Sequence, residues 1–174
     1  AACYQARLWI TQRNLARASQ WAEDSGLNRA DAPIAYSYEA EYFTLSRLLL
    51  AQGNFARAES LLLRLHQAAA AAERNGSLIE ILILQALTFA AQRRNEDALA
   101  SLAQALGLAE GEGFVRIFLD EGAPIVALLR QAVAQETYAS YALHLLDALG
   151  ETATAPQPLI DPLSERELEV LRRV

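Results

Sequence analysis

The sequence predicts an all-α protein in which antiparallel helix pairs stack on one another. Three observations indicate this: the composition, a repeat with a fixed period, and helical spacing of the apolar residues. The 174 residues include 35 Ala and 30 Leu, but only 13 Val and Ile together. Ala and Leu lose little side-chain freedom in a helix, whereas β-branched residues lose more. With 8 Gly and 5 Pro, the chain also has few of the residues on which turn-rich β proteins depend.

A motif recurs every 40 residues along the chain. It covers 11–18, 51–58 and 91–98, and in each unit a Gln is followed six residues later by an Ala: Gln12 and Ala18, Gln52 and Ala58, Gln92 and Ala98. The same spacing relates three small residues, three large apolar ones and three further apolar ones: Ala6, Ser46, Ala86; Trp9, Leu49, Phe89; Ala22, Leu62, Leu102. A small residue lets two helices approach, and the large one three positions later fills the space beside that contact. We therefore expect the small and large residues at equivalent buried positions of stacked helix pairs.

Apolar spacing of three or four residues, interrupted by turn signals, predicts the helices in order. They are expected over 2–12, 15–25, 34–52, 55–74, 77–92, 95–110, 114–121, 123–135 and 137–149. Loops are expected at 25–33, 75–76, 111–113 and 121–122. Pro33 and Pro124 suit first helical turns, where a missing N–H group has no cost.

The middle unit resembles a tetratricopeptide repeat. That family has a small residue and then a large one in the first helix, a Gly turn, and Ala in the second helix. Here Ser46, Leu49, Gly53 and Ala58 stand in those places. The period of 40 exceeds the usual ~34 residues. The resemblance implies a tetratricopeptide-like right-handed superhelix of antiparallel helix pairs over residues 1–150.

The composition changes after Gly150, where 151–162 contains three prolines and no apolar periodicity, as in an extended linker. A new helix start follows. Ser164 and Glu167 form a capping box, and Leu163 and Leu168 have the spacing of a hydrophobic staple. The string Leu-Ser-Glu-Arg-Glu-Leu-Glu-Val-Leu over 163–171 resembles the opening of the LuxR-type helix-turn-helix domain, which implies that 163–174 is its first part.

The segment 113–130 resembles the end of the sensor domain of MalT-like regulators, which are LuxR-family transcription activators. This resemblance implies a cytoplasmic bacterial regulator whose repeats bind a small-molecule inducer or a regulatory protein and control DNA binding. In such proteins a separate N-terminal module binds ATP and supports self-association. No phosphate-binding loop occurs in this chain, so we expect no cofactor here. DNA binding is expected only through the remainder of the helix-turn-helix domain. The alternative is a protein–protein scaffold unrelated to transcription.

By the same resemblance, the positions that face the groove in the family correspond to residues on the first helix of each repeat. They fall on Cys3, Arg7, Phe43, Thr44, Arg47, Glu80, Ile83 and Leu87. Arg7 and Arg47 are 40 residues apart and should be neighbours in the concave groove. Two guanidinium groups can bind a carboxylate or phosphate through paired hydrogen bonds. The alternative is a salt bridge to a nearby Glu, with the stem of each Arg covering apolar surface.

Other functions are disfavoured by composition. The single Cys3 excludes an internal disulfide framework and a cysteine-based zinc cluster, and His66 and His144 have no metal-ligand spacing. The net charge of −6 disfavours nucleic-acid binding by the chain as a whole, and no apolar run is long enough to cross a membrane. The acidic pairs at 39/41 and 120/121 have no nucleophile beside them, so we expect them to be solvated and the chain not to be an enzyme.

Overall fold

The structure, a computed structural model, describes residues 2–27 and 34–151, and these residues are all helix, turn and connecting loop. The α-helices are α1 (Ala2–Thr11), α2 (Leu15–Asp24), α3 (Glu39–Ala51), α4 (Phe55–Ala71), α5 (Asn75–Ala91), α6 (Asn95–Glu110), α7 (Arg116–Leu119), α8 (Ala123–Ala134) and α9 (Ala139–Ala148). A 3₁₀ turn, Tyr36–Tyr38, precedes α3. The linker and the helix-turn-helix start predicted after residue 151 lie outside the described residues.

The stacking is that of a tetratricopeptide-like array, as the sequence predicts. The first helices α1, α3 and α5 contact one another in order. Each also contacts its own second helix, α2, α4 or α6, and α2 and α4 each contact the first helix of the next pair. The 40-residue register is visible in the core, where Ala18, Ala58 and Ala98 are all fully buried. The predicted small positions Ala6, Ser46 and Ala86 are buried too.

The large positions of the repeat are less uniform than predicted. Leu49 is buried, but Trp9 and Phe89 are only half-buried. The Phe89 ring is covered by the Arg94 guanidinium, whose central carbon lies 4.3 Å from the ring centroid. The expectation of equivalent burial is therefore wrong for Trp9, which lines a cavity, and for Phe89, whose ring packs against Arg94.

The turn within each helix pair has one geometry in all three repeats. Arg13, Gly53 and Arg93 have positive φ angles of 58°, 72° and 62°. The residue after each turn position donates its N–H group to a carbonyl five residues earlier: Asn14 to Trp9, Asn54 to Leu49, Arg94 to Phe89. This is the Schellman arrangement that ends a helix on a left-handed residue. A left-handed Arg is strained where Gly is not, so the backbone keeps the turn even where the sequence lacks the Gly.

The same turn corrects one predicted boundary. Asn75 and Gly76 were expected to form the loop between α4 and α5, because Gly usually ends a helix. Instead Glu73 takes the left-handed conformation, with a φ angle of 52°, and Asn75 and Gly76 form the first turn of α5. Pro124 lies in the first turn of α8, as predicted.

The repeated Gln residues tie one helix pair to the pair before it. Gln52 Nε2 donates a hydrogen bond of 2.8 Å to Ser19 Oγ on α2. One repeat later, Gln92 Nε2 donates to Glu59 on α4. The donor and acceptor are separated by the same number of residues in both cases, so the motif that reveals the repeat in the sequence also fixes its register in space.

The core consists of two clusters that share α5. Ile81 and Leu84 of α5 face the cluster formed with α2, α3 and α4. Ile79, Leu82 and Ile83 face the cluster formed with α6, α8 and α9. α7 closes the second cluster with Phe118, which is fully buried. None of the described helices is long and apolar enough to cross a bilayer.

Candidate functional site

The groove beside α1, α3 and α5 contains a network of ion pairs centred on Arg47. Arg47 Nε donates to the two carboxylate oxygens of Glu121 at 3.0 and 3.4 Å. Arg47 Nη2 donates to Glu80 Oε1 at 2.7 Å and also to Glu121. Arg7 Nη2 lies 3.6 Å from Glu121 Oε1. Arg7 and Arg47 are therefore neighbours one repeat apart, as the sequence predicts, and they share a carboxylate.

Glu121 reaches this position because the segment after α7 folds back onto the first helices. Phe118 anchors the segment through an edge-to-face contact with Tyr141 of α9, with centroids 6.3 Å apart. Tyr141 donates its hydroxyl to the Phe114 carbonyl at 2.9 Å. Gly122, with a φ angle of 63°, then turns the chain into α8. The groove is thus joined through one short segment to the last described helices.

The charges within the network are balanced. Arg116 Nε contacts Asp120 Oδ1 at 2.7 Å, and Arg7 Nη2 donates to the Asp120 backbone carbonyl at 3.3 Å. Three arginines therefore accompany Glu80, Asp120 and Glu121. Burial by itself would lower the pKa of Arg47, but attraction and hydrogen bonds from Glu121 and Glu80 outweigh it and raise that pKa. Arg47 stays charged, and the groove keeps a guanidinium whose hydrogen bonds are made within the protein.

Burial raises the pKa of the Glu80 carboxyl above its usual value, and the nearby Arg47 charge only partly opposes this rise. Glu80 lies on α5 and faces Arg47 of α3 across the groove. Keeping the Glu80 carboxylate charged is therefore costly in this environment.

Two cavities border the network, one on each side, and both are lined by Arg7 and Arg47. The smaller, of about 130 Å³, also touches Cys3, Phe43, Thr44 and Glu80. The larger, of about 560 Å³, is floored by the apolar side chains Ile10, Leu15, Leu50 and Leu87, with the segment 120–124 as its wall. Of the predicted groove residues, all except Ile83 line one of these cavities.

Ile83 is a correction to the predicted groove. Its side chain is fully buried in the C-terminal core cluster, among residues of α5, α6 and α8. Glu80, Ile83 and Leu87 have the spacing of one helix face, but at Ile83 that face is covered by the core cluster formed with α6 and α8. No ligand in the groove can reach it in this conformation.

To bind a ligand in the groove, Arg47 would have to reach solvent, and it hardly does. The residue is only 8% exposed, because Glu80 and Glu121 enclose its guanidinium. The salt-bridge alternative describes Arg47 correctly. Thr44 is likewise buried and donates its hydroxyl to the Ala40 carbonyl at 2.9 Å. Whether the groove binds a ligand or partner stays a prediction.

Two of the acidic side chains expected to be solvated are structural. The Glu121 side chain is 7% exposed, and Glu39 is 9% exposed. Glu39 accepts a hydrogen bond of 2.7 Å from Ser77 Oγ and lies 3.1 Å from Arg74 Nη2. The pairing of Arg47 with Glu121 could not be found from sequence spacing, because 74 residues separate the partners. The described residues contain no group of three or more acidic, His or Cys side chains that could hold a metal ion.

The helix-pair stack and its closing segment agree with the comparison to known families. A family model described as the MalT-like TPR region matches residues 1–135. This chain belongs to that family. No curated protein matches the chain. The resemblance seen in the repeats is thereby confirmed, and the match includes the segment 113–130 that suggested a MalT-like domain. The LuxR-like string at 163–171 lies outside the matched range.

Proposed function

We propose that this MalT-like TPR domain is the signal-sensing part of a bacterial LuxR-family transcription regulator. A small-molecule inducer or a regulatory protein would bind its groove and change the DNA binding of the helix-turn-helix domain that begins at 163–174. The protein would act in the cytoplasm. ATP would bind to a separate N-terminal module, and DNA only to the completed C-terminal domain.

The observation that carries the proposal is the position of Glu121. It joins Arg7 of α1 and Arg47 of α3 to the segment that leads into α8 and α9. A ligand that contacts Arg7 or displaces Glu121 would change the contacts that hold α8 in place, and α9 ends just before the segment predicted to be a linker. The family match and the LuxR-like string after a proline-containing linker support the same order of domains.

The experiment uses the longer protein that extends past Val174. Arg7→Gln removes a charge from both cavities, and Arg7 is partly exposed, so its loss should leave folding intact. We expect Arg7→Gln to change the dependence of transcription on the inducer without changing the thermal midpoint. Arg93→Gln, at an exposed turn outside the groove, is the matched control.

The outcomes separate the two parts of the proposal. If Arg7→Gln and Arg93→Gln respond alike, the groove is not the sensing site. If the chain after Val174 lacks a helix-turn-helix sequence, or the longer protein does not bind a promoter, the role in transcription is wrong and the scaffold alternative is favoured.

A further inference from the structure

A further cavity lies in the first repeat, and none of the charged residues of the ion-pair network lines it. A cavity of about 720 Å³ opens between α1, α2 and the start of α3. Trp9, Trp21 and Tyr38 line it. The whole sequence contains two tryptophans, so both are in the wall of this cavity. Its volume is in the range of roughly 300–1,000 Å³ that is usual for pockets that bind small molecules.

The 40-residue register explains why a cavity exists here. Between the second and third repeats, Leu45, Leu65 and Ile81 fill the equivalent space and are buried. The residues 40 positions earlier, between the first and second repeats, are shorter or polar and line the cavity instead: Gln5, Ser25 and Glu41. Polar side chains thus occupy three positions at which the next repeat has core residues.

The helix lengths enlarge the same space. α4 continues to Ala71, whereas α2, one repeat earlier, ends at Asp24. In the register of the repeat, Asp24 corresponds to Arg64, in the middle of α4. The second helix of the first pair therefore stops about two turns early, and its last turn forms the rim of the cavity.

The charged groups of the cavity are mostly acidic. Glu41 and Asp24 line it, together with Arg17. Gln20 Nε2 donates to Asp24 Oδ1 at 2.9 Å. No hydrogen bond or ion pair reaches the Glu41 carboxylate from residues 2–27 and 34–151, although Glu41 is half-buried. A half-buried carboxylate without a partner, beside aromatic rings, is a favourable environment for a positive charge.

Aromatic faces attract cations through the ring quadrupole, and aromatic side chains with a carboxylate recognise quaternary ammonium groups. The cation–π contacts among the described residues lie elsewhere, with Arg74 over Tyr36 and Arg94 over Phe89. We propose that the cavity lined by Trp9, Trp21, Tyr38 and Glu41 binds a compact organic cation, such as a ligand carrying a methylated ammonium group.

Intrinsic tryptophan fluorescence tests this directly, because both tryptophans belong to the site. The protein is titrated with tetramethylammonium chloride at constant ionic strength, balanced with sodium chloride. We expect a saturable change in emission that neopentyl alcohol, an uncharged molecule of similar size and branching, and glucose, a neutral polyol, do not produce at equal concentration.

Variants distinguish charge from shape. Glu41→Gln should weaken tetramethylammonium binding at least tenfold, and Glu23→Gln, on the exposed side of α2, should leave it unchanged. Tyr38 is 52% exposed, so Tyr38→Leu should keep the fold and also weaken binding, whereas Tyr38→Phe should retain it. Circular dichroism and thermal midpoints show that each variant is folded.

Three results would overturn the proposal. No saturable change with tetramethylammonium excludes a cation site. Equal binding of neopentyl alcohol, or unchanged affinity in Glu41→Gln, indicates a merely apolar cavity. A response to glucose or to inorganic phosphate, but not to tetramethylammonium, assigns the cavity to neutral or anionic ligands.

Discussion

The guanidinium group of Arg47, on α3, contacts α5 through Glu80 and the turn after α7 through Glu121. Its partners Glu80 and Glu121 are themselves largely buried. Removing the Arg47 guanidinium would leave the two carboxylates largely buried without their compensating positive charge. We expect Arg47→Ala to lower the free energy of unfolding by roughly 3–5 kcal/mol, as measured by urea denaturation.

The matched control for Arg47 is Arg130, which pairs with Glu151 at 2.7 Å on the surface. Exposed pairs contribute only about 0–1 kcal/mol, so Arg130→Ala should have a small effect. If Arg47→Ala is no more destabilising than Arg130→Ala, then water compensates Glu80 and Glu121, and the network is not structural.

Glu80 gives the network a dependence on pH. Its pKa is raised by burial, so the folded state binds this proton more tightly than the unfolded state does. The free energy of unfolding therefore rises as the pH falls from above the pKa of Glu80 in the folded protein towards the ordinary pKa of a Glu carboxyl. We expect the free energy of unfolding of the wild type, relative to that of Glu80→Gln, to increase as the pH falls from neutral towards 4.5, the ordinary value for a Glu carboxyl.

Glu23→Gln, at an exposed position of α2, is the control for removing a carboxylate in general. Thermal unfolding at several pH values measures both differences. The opposite trend for Glu80→Gln, with the wild type losing relative stability in acid, would mean that attraction to Arg47 exceeds the cost of burial.

At the scale of the helix and its turn, the three repeats provide a natural comparison of Arg with Gly. Arg13 and Arg93 hold the left-handed conformation that Gly53 holds without strain. A left-handed non-glycine residue costs about 1–2 kcal/mol, partly offset because Gly loses more backbone entropy on folding. We expect Arg93→Gly to stabilise the protein by a few tenths of a kcal/mol to about 1 kcal/mol.

The reciprocal change, Gly53→Arg, should destabilise by a similar amount, because it introduces the same strain into the middle repeat. Nothing within 4 Å would obstruct a Cβ atom at Gly53, so the backbone conformation alone is tested. If both substitutions destabilise, contacts of the Arg93 side chain outweigh its backbone strain.

The helix boundaries were predictable because their signals are local. Apolar spacing and the Gln-to-Ala motif placed the ends of α1 to α6 within about three residues, apart from the start of α3, which was expected at 34 and lies at Glu39 after a 3₁₀ turn. The error at Asn75 and Gly76 has a local cause as well: Gly in a first helical turn cannot be distinguished by residue type from Gly at a helix end.

The sites were less predictable, since they depend on residues distant in sequence. The repeat register brought Arg7 and Arg47 together, but it contained no information on Glu121, which belongs to a segment outside the repeat. Likewise, the sequence around Glu41 predicts only an exposed helix residue. That Glu41 occupies the repeat position of a core residue becomes evident only because Ile81, 40 residues later, is buried.

At the scale of the whole molecule, the two core clusters imply unequal local stability. α5 is buried on two sides, between the clusters formed with α3 and α4 and with α6 and α8. α1 contributes only Cys3 and Ala6 to the buried residues, and α2 only Ala18 and Ala22. The 720 Å³ cavity lies between this pair and α3, so fewer packing contacts hold α1 and α2 in place.

In a stacked array, stability is approximately a sum of repeat and interface terms, and the least tightly packed pair opens first. Local opening free energies range from near zero to the global value, so we expect amides of α1 and α2 to exchange at least about tenfold faster than those of α5. Native-state hydrogen exchange followed by mass spectrometry measures this. Equal protection of α1, α2 and α5 would show that the array opens as one cooperative unit, because the interface between α1 and α3 would then be as strong as the core around α5.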